Sequence, residues 1–231
     1  MRIGLLLCDS MPDEYLPIAG KYVAMFSGMF HNRAVTMTPF DAHRGELPDS
    51  PLECDGYVIS GSSASVYEDE QWIRELEAFI RDSVNVSAPI FGVCFGLHVM
   101  ATALGGTVEK FHGGWGVGVH DMNTIRSRPW MKNSHDSVSL IMSHQDQITR
   151  LPERASILGS SDHCENYLVE FTAIHVGIQG HPEFGVPFAE AIYSKRREQP
   201  GDLFDRAVES LRLHTDGELV ASWIVEFFDL S

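Results

Sequence analysis

Short apolar runs alternate with amphipathic stretches through the first hundred residues, and this alternation limits the possible folds more than any other feature. Arg2–Cys8 is a near-continuous apolar run, as expected of a strand buried on both faces. Residues 13–30, with Tyr15, Ile18, Val23 and Phe26 among their apolar positions, predict a helix. Ala34–Met37 predicts a second strand, and Tyr57–Ile59 a third that ends in Ser60-Gly61-Ser62-Ser63. Residues 69–84 gather Trp72, Leu76, Phe79 and Ile80 on one side of a helix. Pro89–Val93 reads as a strand and Leu97–Leu104 as a helix. Strands alternating with helices predict βαβ units, hence an α/β fold with a mainly parallel open sheet flanked by helices.

The pattern changes after Gly105. Val117–Val119, Val138–Met142, Tyr167–Phe171 and Ile174–Ile178 carry β signals, predicting a few antiparallel strands beside the parallel sheet. Helices return around 186–198, 202–214 and 217–228, the last with a core stripe of Trp223, Ile224, Phe227 and Phe228. No repeat, low-complexity tract or linker divides the chain, so residues 1–231 are expected to form one domain. A net charge of −15 argues against nucleic acid or an anionic membrane surface as the main partner, since both need basic patches. The one basic run, Lys195-Arg196-Arg197, reads as a solvated helix end. No segment approaches the roughly 20 apolar residues that span a bilayer. Met1–Leu7 lacks a cleavage site and reads as a strand, not a signal peptide. Cys8, Cys54, Cys94 and Cys164 are far apart, with no CxxC pair, which suits a reduced, cytoplasmic protein without a metal site.

Between the strand at 89–93 and the helix that follows stands Gly92-Val93-Cys94-Phe95-Gly96, a nucleophile elbow with cysteine in place of serine. A sharp strand-to-helix turn strains the backbone of the nucleophile, and the flanking positions must lack Cβ atoms so that the chains can pass. The turn also sets the side chain at a helix N-terminus, where the dipole and free N–H groups favour an anion. The N–H of Phe95 is then available to a developing oxyanion. By itself the pattern fits a buried structural cysteine in a tight turn equally well. A thiol nucleophile needs a base, and the base needs a third group to fix its tautomer. Of the eleven histidines, His181 has the right context. The strand Ile174–Ile178 runs into Gln179-Gly180-His181-Pro182-Glu183, placing His181 at a sheet edge with Glu183 able to point to the same side.

Gly92-Val93-Cys94-Phe95-Gly96 together with Gly180-His181-Pro182-Glu183 resembles the class I glutamine amidotransferases of the Cys-His-Glu type. Two more segments fit in the family's order. Val58–Tyr67 resembles the loop that supplies a second oxyanion donor, and Met142–Asp146 resembles the loop that holds the glutamine amino and carboxylate groups. Stand-alone members similar to the amidotransferase domain of GMP synthetase, including γ-glutamyl peptidases, look nearest, and Gly114-Trp115-Gly116-Val117-Gly118 adds to that impression. The resemblance implies a flavodoxin-like three-layer fold. It also implies that Cys94 attacks the side-chain amide of glutamine or a γ-glutamyl compound. A γ-glutamyl thioester forms, ammonia or an amine leaves, and water releases glutamate. His181 would carry the proton and Glu183 orient it. Backbone N–H groups of Phe95 and of Gly61 or Ser62 would form the oxyanion hole. Ser143, His144, Gln145, Asp146 and His98 would bind substrate. No metal or cofactor is implied.

Two departures from the family stand out. Its usual glutamine four residues after the nucleophile is His98 here, which either contacts substrate or faces the core. Ser62 replaces a common second glycine. No synthetase domain or Gly-rich phosphate loop is recognisable. Ammonia would therefore pass to a separate synthetase chain or be released. The alternative to an autonomous hydrolase is a non-catalytic or partner-dependent glutaminase subunit. A thiol redox role lacks a resolving cysteine near Cys94.

Overall fold

The computed structural model describes residues 1–31, 33–196 and 202–231. The first strand, β1 (Arg2–Leu6), pairs in parallel with β2 (Thr36–Phe40) on one side and β3 (Gly56–Ile59) on the other. β3 pairs in parallel with β4 (Ile90–Val93), and β4 with β11 (His175–Ile178). Beyond β11 the sheet turns antiparallel through β10 (Leu168–Thr172), β9 (Ser156–Ser160), β6 (Gly116–Thr124) and β7 (Ser137–His144). The full order is β2-β1-β3-β4-β11-β10-β9-β6-β7. β5 (Thr107–Lys110) and β8 (Asp146–Arg150) form a separate antiparallel ribbon.

The central strands have helices on both faces. β3 shows the division: Val58 joins one apolar cluster, while Tyr57 and Ile59 on the opposite face join the other. On the Val58 face lie α2 (Tyr22–Met29) and α7 (Gly217–Leu230), whose Trp223, Ile224, Phe227 and Phe228 are buried as the sequence stripe predicts. On the other face lie α3 (Gln71–Val86), burying Ile73, Leu76, Phe79 and Ile80, and α4 (Phe95–Ala103). A third cluster beneath α5 (Val186–Arg196) and α6 (Leu203–Ser210) covers part of β6 and β7.

Several boundaries differ from expectation. The helix predicted over 13–30 is broken: a 3-10 turn at Asp13–Tyr15, α1 at Leu16–Ala19, then Gly20 at φ 69° before α2 begins. The second strand starts at Thr36 and continues to Phe40 through Pro39, which is tolerated because β2 is the sheet edge and needs no outward N–H. The 174–178 strand is parallel to β4, not one of the antiparallel additions. The last two residues of the helix expected over 186–198, and Arg197 of the basic run, lie outside the described residues. No described helix is long and apolar enough to cross a membrane.

Candidate active site

The carboxyl ends of β3, β4 and β11 lie side by side, which is where open parallel sheets gather ligands. Cys94 follows β4 and caps α4 with φ 51° and ψ −100°. For a residue with a Cβ, this conformation costs on the order of 1–3 kcal/mol and persists only where the surroundings enforce it. The enforcement is visible. Cys94 N–H donates to Ile178 O at 2.8 Å, and His98 N–H donates to Cys94 O at 3.1 Å. A Cβ on Gly92 would lie 2.5 Å from the carbonyl carbon of Gly96, and one on Gly96 would lie 2.5 Å from Ile59 O. Both glycines are needed for β3, β4 and α4 to meet at this turn.

His181 is fixed by backbone and ring. Its N–H donates to Ile141 O at 2.9 Å, and its ring stacks on Phe184 with centroids 3.9 Å apart and planes 19° apart. Nδ1–H donates to Glu183 Oε1 at 2.8 Å, and both side chains are almost fully buried. A carboxylate only accepts, so this bond places a proton on Nδ1. Nε2 makes no direct hydrogen bond among the described residues, nor does Glu183 Oε2. Gly61 brings the groups together: a Cβ there would sit 3.0 Å from His181 Cε1 and 3.7 Å from Cys94 Cβ. Burial alone would disfavour a charged imidazole. The Glu183 carboxylate and the Cys94 sulfur outweigh it and hold the ring's pKa well above the ordinary imidazole range. The arrangement can therefore support an imidazolium beside a sulfur, with one imidazole nitrogen open to exchange a proton.

The turn after β3 carries the other predicted oxyanion donors. No hydrogen bond occupies the N–H of Gly61 or Ser62 among the described residues. The N–H of Phe95, first residue of α4, has no intrahelical acceptor. Ser62 is not among the residues with positive φ, so serine in place of glycine is unstrained, and its hydroxyl anchors the turn by donating to Cys8 O at 2.7 Å.

Two adjoining lobes, which share Ser62, Cys94, Ser143 and Arg196 in their walls, open beside Cys94. The larger, about 290 Å³, is lined by Ser62, Cys94, Phe95, His98 and the whole segment Ser143, His144, Gln145 and Asp146. The smaller, about 80 Å³, is lined by Gly61, Ser62, Cys94, Ser143, His181 and Glu183. Every site residue selected from the sequence thus borders one cleft. Asp146 accepts from Tyr67 OH at 2.9 Å, tying the loop after β3 to the start of β8. His144 is buried, and that burial, reinforced by neighbouring histidines, depresses its pKa well below the usual value.

His98 lines the larger lobe and is also a buried structural partner. Its Nε2–H donates to Gln179 Oε1 at 2.7 Å, and Gln179 Nε2 donates to Cys94 Sγ at 3.5 Å. Burial lowers the His98 pKa, partly opposed by the Gln179 bond, so the ring is a neutral donor. Gln179 was not selected from the sequence, although its place two residues before His181 could have suggested it. The solvated helix end expected at Lys195-Arg196-Arg197 does not hold for Arg196, which is partly buried. Instead its guanidinium stacks over Trp115, 4.3 Å from the ring centroid, and donates to Ser143 Oγ at 3.0 Å. Only the fold reveals this, because Trp115 and Ser143 are distant in sequence. No group of three or more His, Cys, Asp or Glu among the described residues is placed to hold a metal ion.

A family model described as "Glutamine amidotransferase class-I" matches residues 25–190. Gamma-glutamyl peptidase 5 of Arabidopsis thaliana is 28% identical over 190 residues, covering 79% of this chain and 76% of that protein. A glutamine-hydrolysing GMP synthase of Crocosphaera subtropica is 36% identical over 132 residues, covering 55% of this chain and 23% of that protein. The crystal structure of a glutamine amidotransferase from Thermotoga maritima has a TM-score of 0.76 at 20% identity, covering 99% of this chain and 98% of that one, and supports the fold. With an elbow cysteine, a buried His–Glu pair and a family match over most of its length, the chain belongs to the class I glutamine amidotransferases.

Proposed function

We propose that the protein is a γ-glutamyl amide hydrolase acting through Cys94, His181 and Glu183. The observation that carries this reading is the buried His181–Glu183 hydrogen bond of 2.8 Å beside an elbow cysteine. His181 Nε2 takes the Cys94 proton. The sulfur attacks the substrate's γ-carbonyl, and the tetrahedral oxyanion lies among the N–H groups of Phe95, Gly61 and Ser62. The C–N bond then breaks as the imidazolium returns the proton to the departing nitrogen. Water, activated by the same nitrogen, hydrolyses the γ-glutamyl thioester to glutamate and free thiol. Ser143, His144, Gln145 and Asp146 bind the acyl half in the larger lobe. His98 acts on that lobe and, through Gln179, on the sulfur.

The leaving nitrogen must depart on the His181 side. There the smaller lobe adjoins a further groove of about 570 Å³, lined by Tyr15, Tyr22, Phe188 and Ile192 and by the charged Asp9, Glu14, Lys195 and Arg196. That space fits an amine much larger than ammonia and favours γ-glutamyl amides or peptides over free glutamine. The names of the γ-glutamyl peptidase relatives agree. A partner-dependent glutaminase is the second reading. It rests on the GMP synthase relatives, of which this chain spans about a quarter. In either case residues 1–231 act as one cytoplasmic catalytic domain without a metal.

The test is hydrolysis of glutamine and a panel of γ-glutamyl amides by purified wild-type protein and Cys94→Ala, reading ammonia, amine and glutamate. The proposal expects wild-type cleavage of γ-glutamyl amides and none by the variant. Undiminished hydrolysis by Cys94→Ala would sink it. Glutamine hydrolysis only with a separate synthetase added would favour the second reading.

A further inference from the structure

Arg196 is a partly buried cation in the active-site cleft of a chain whose net charge is −15. Among the described residues it has no carboxylate partner at ion-pair distance. It lies over the Trp115 ring and makes one hydrogen bond, from Nη1 to Ser143 Oγ, among the described residues. Burial depresses its pKa, a measure of the cost of removing this charge from water. A guanidinium held over an aromatic ring with one N–H engaged keeps further N–H donors, and its fork of donors matches a carboxylate in bidentate fashion. The acid of the larger lobe, Asp146, is already engaged by Tyr67.

We propose that Arg196 is a specificity-determining residue whose guanidinium anchors the α-carboxylate of the γ-glutamyl half of the substrate. This deepens the γ-glutamyl amide reading and rests on it. Arg196 borders both lobes and the groove beyond them, and two features, Trp115 and Lys110, assign the anchor to the acyl half. Trp115, against which the guanidinium lies, lines the larger lobe and not the smaller one. Ser143, which holds Nη1, borders both lobes and does not distinguish them. Lys110 adds a second cation in the larger lobe. The position of Arg196 follows from the packing of α5. Tyr193, one turn earlier, is fully buried against β6 and β7, with its hydroxyl donating to Met142 O and accepting from Gly118 N–H. That fixes the end of the helix over Ser143.

The test compares γ-glutamyl-p-nitroanilide with 4-aminobutyryl-p-nitroanilide, which lacks only the α-carboxylate. Wild type, Arg196→Met and Arg196→Lys are assayed, with thermal melts to verify folding. Arg196→Met should lower kcat/KM on the γ-glutamyl substrate by about 10- to 100-fold, mainly through KM, without measurable loss on the decarboxy analogue. Arg196→Lys, which keeps the charge and loses the fork, should fall between. Equal losses on both substrates, no loss on either, or a loss confined to γ-glutamyl dipeptides with a carboxylate on the amine half would overturn the assignment. Calorimetric binding of glutamate against 4-aminobutyrate separates this inference from the hydrolase reading, because it needs no turnover. If wild type cleaves no amide yet Arg196→Met weakens glutamate binding selectively, the anchor stands and the hydrolase reading falls. If amides are cleaved but neither glutamate binding nor KM responds to the substitution, the anchor falls alone.

Discussion

Replacing Glu183 by glutamine removes one charge and almost no volume. In the wild type the carboxylate accepts from His181 Nδ1 at 2.8 Å, with its side chain 2% exposed. Its second oxygen is buried without a hydrogen-bond partner among the described residues. A glutamine that keeps its carbonyl towards Nδ1 turns a charge-assisted bond into a neutral one and leaves an amide N–H2 group in that unpartnered position. The first effect costs about 1 kcal/mol and the second about 1–3 kcal/mol. If the first and part of the second fall on the transition state, where the imidazolium forms, the loss is about 1.5–3 kcal/mol, or roughly 10- to 150-fold in kcat/KM. If the amide flips, its N–H2 faces Nδ1 and drives the ring proton to Nε2. The thiol then meets a donor instead of a base, and the loss approaches roughly ten-thousandfold. The assay is kcat/KM on γ-glutamyl-p-nitroanilide for wild type and Glu183→Gln, with melting temperatures to show that the fold survives. A folded Glu183→Gln protein with wild-type kcat/KM would refute the assignment of Glu183.

His175 supplies a pH prediction outside the cleft. Its Nε2–H donates to Ala88 O at 3.0 Å, its Nδ1 accepts from Thr172 at 2.6 Å, and burial lowers its pKa from 6.5 to about 4. The unfolded chain takes up a proton that the native state refuses, so stability should fall by roughly 3 kcal/mol as pH drops from 6.5 to 4. Urea titrations of wild type and His175→Asn should differ in slope across that window, and parallel curves would refute the account. Gln179→Met should slow alkylation of Cys94 by iodoacetamide several-fold and destabilise the fold by about 1–3 kcal/mol, because His98 Nε2–H loses its buried acceptor. Unchanged alkylation in a folded variant would remove Gln179 from any role at the sulfur.

The parallel half of the sheet was legible because its strands are buried on both faces and leave continuous apolar runs. Ile3, Leu5, Val58, Phe91 and Val176 all reach the core. The elbow was legible because its glycines meet a local steric demand that sequence spacing records. The antiparallel half was less so. β5 and β8 mix exposed and buried positions, and β9 has only two fully buried residues, so none of the three leaves a continuous apolar run. The break between α1 and α2 depends on Gly20 adopting φ 69°, which apolar periodicity does not register. Arg196 and Gln179 were missed for a different reason. Their significance lies in contacts with Trp115, Ser143, His98 and Cys94, up to 85 positions away in sequence, and local pattern carries no information about such pairs. His98 illustrates the same limit: the sequence offered core or substrate, and the structure places it at both a buried hydrogen bond and a lobe wall.

The central claim is that Cys94 is the nucleophile towards a γ-glutamyl carbonyl. The most direct measurement is peptide mapping after treatment with a γ-glutamyl-directed diazoketone, with hydrolysis followed in parallel. The account predicts one label per chain, located on Cys94, accumulating as activity is lost, and no label in a folded Cys94→Ala protein. Labelling of another residue, or a fully labelled Cys94 with hydrolysis intact, would contradict it.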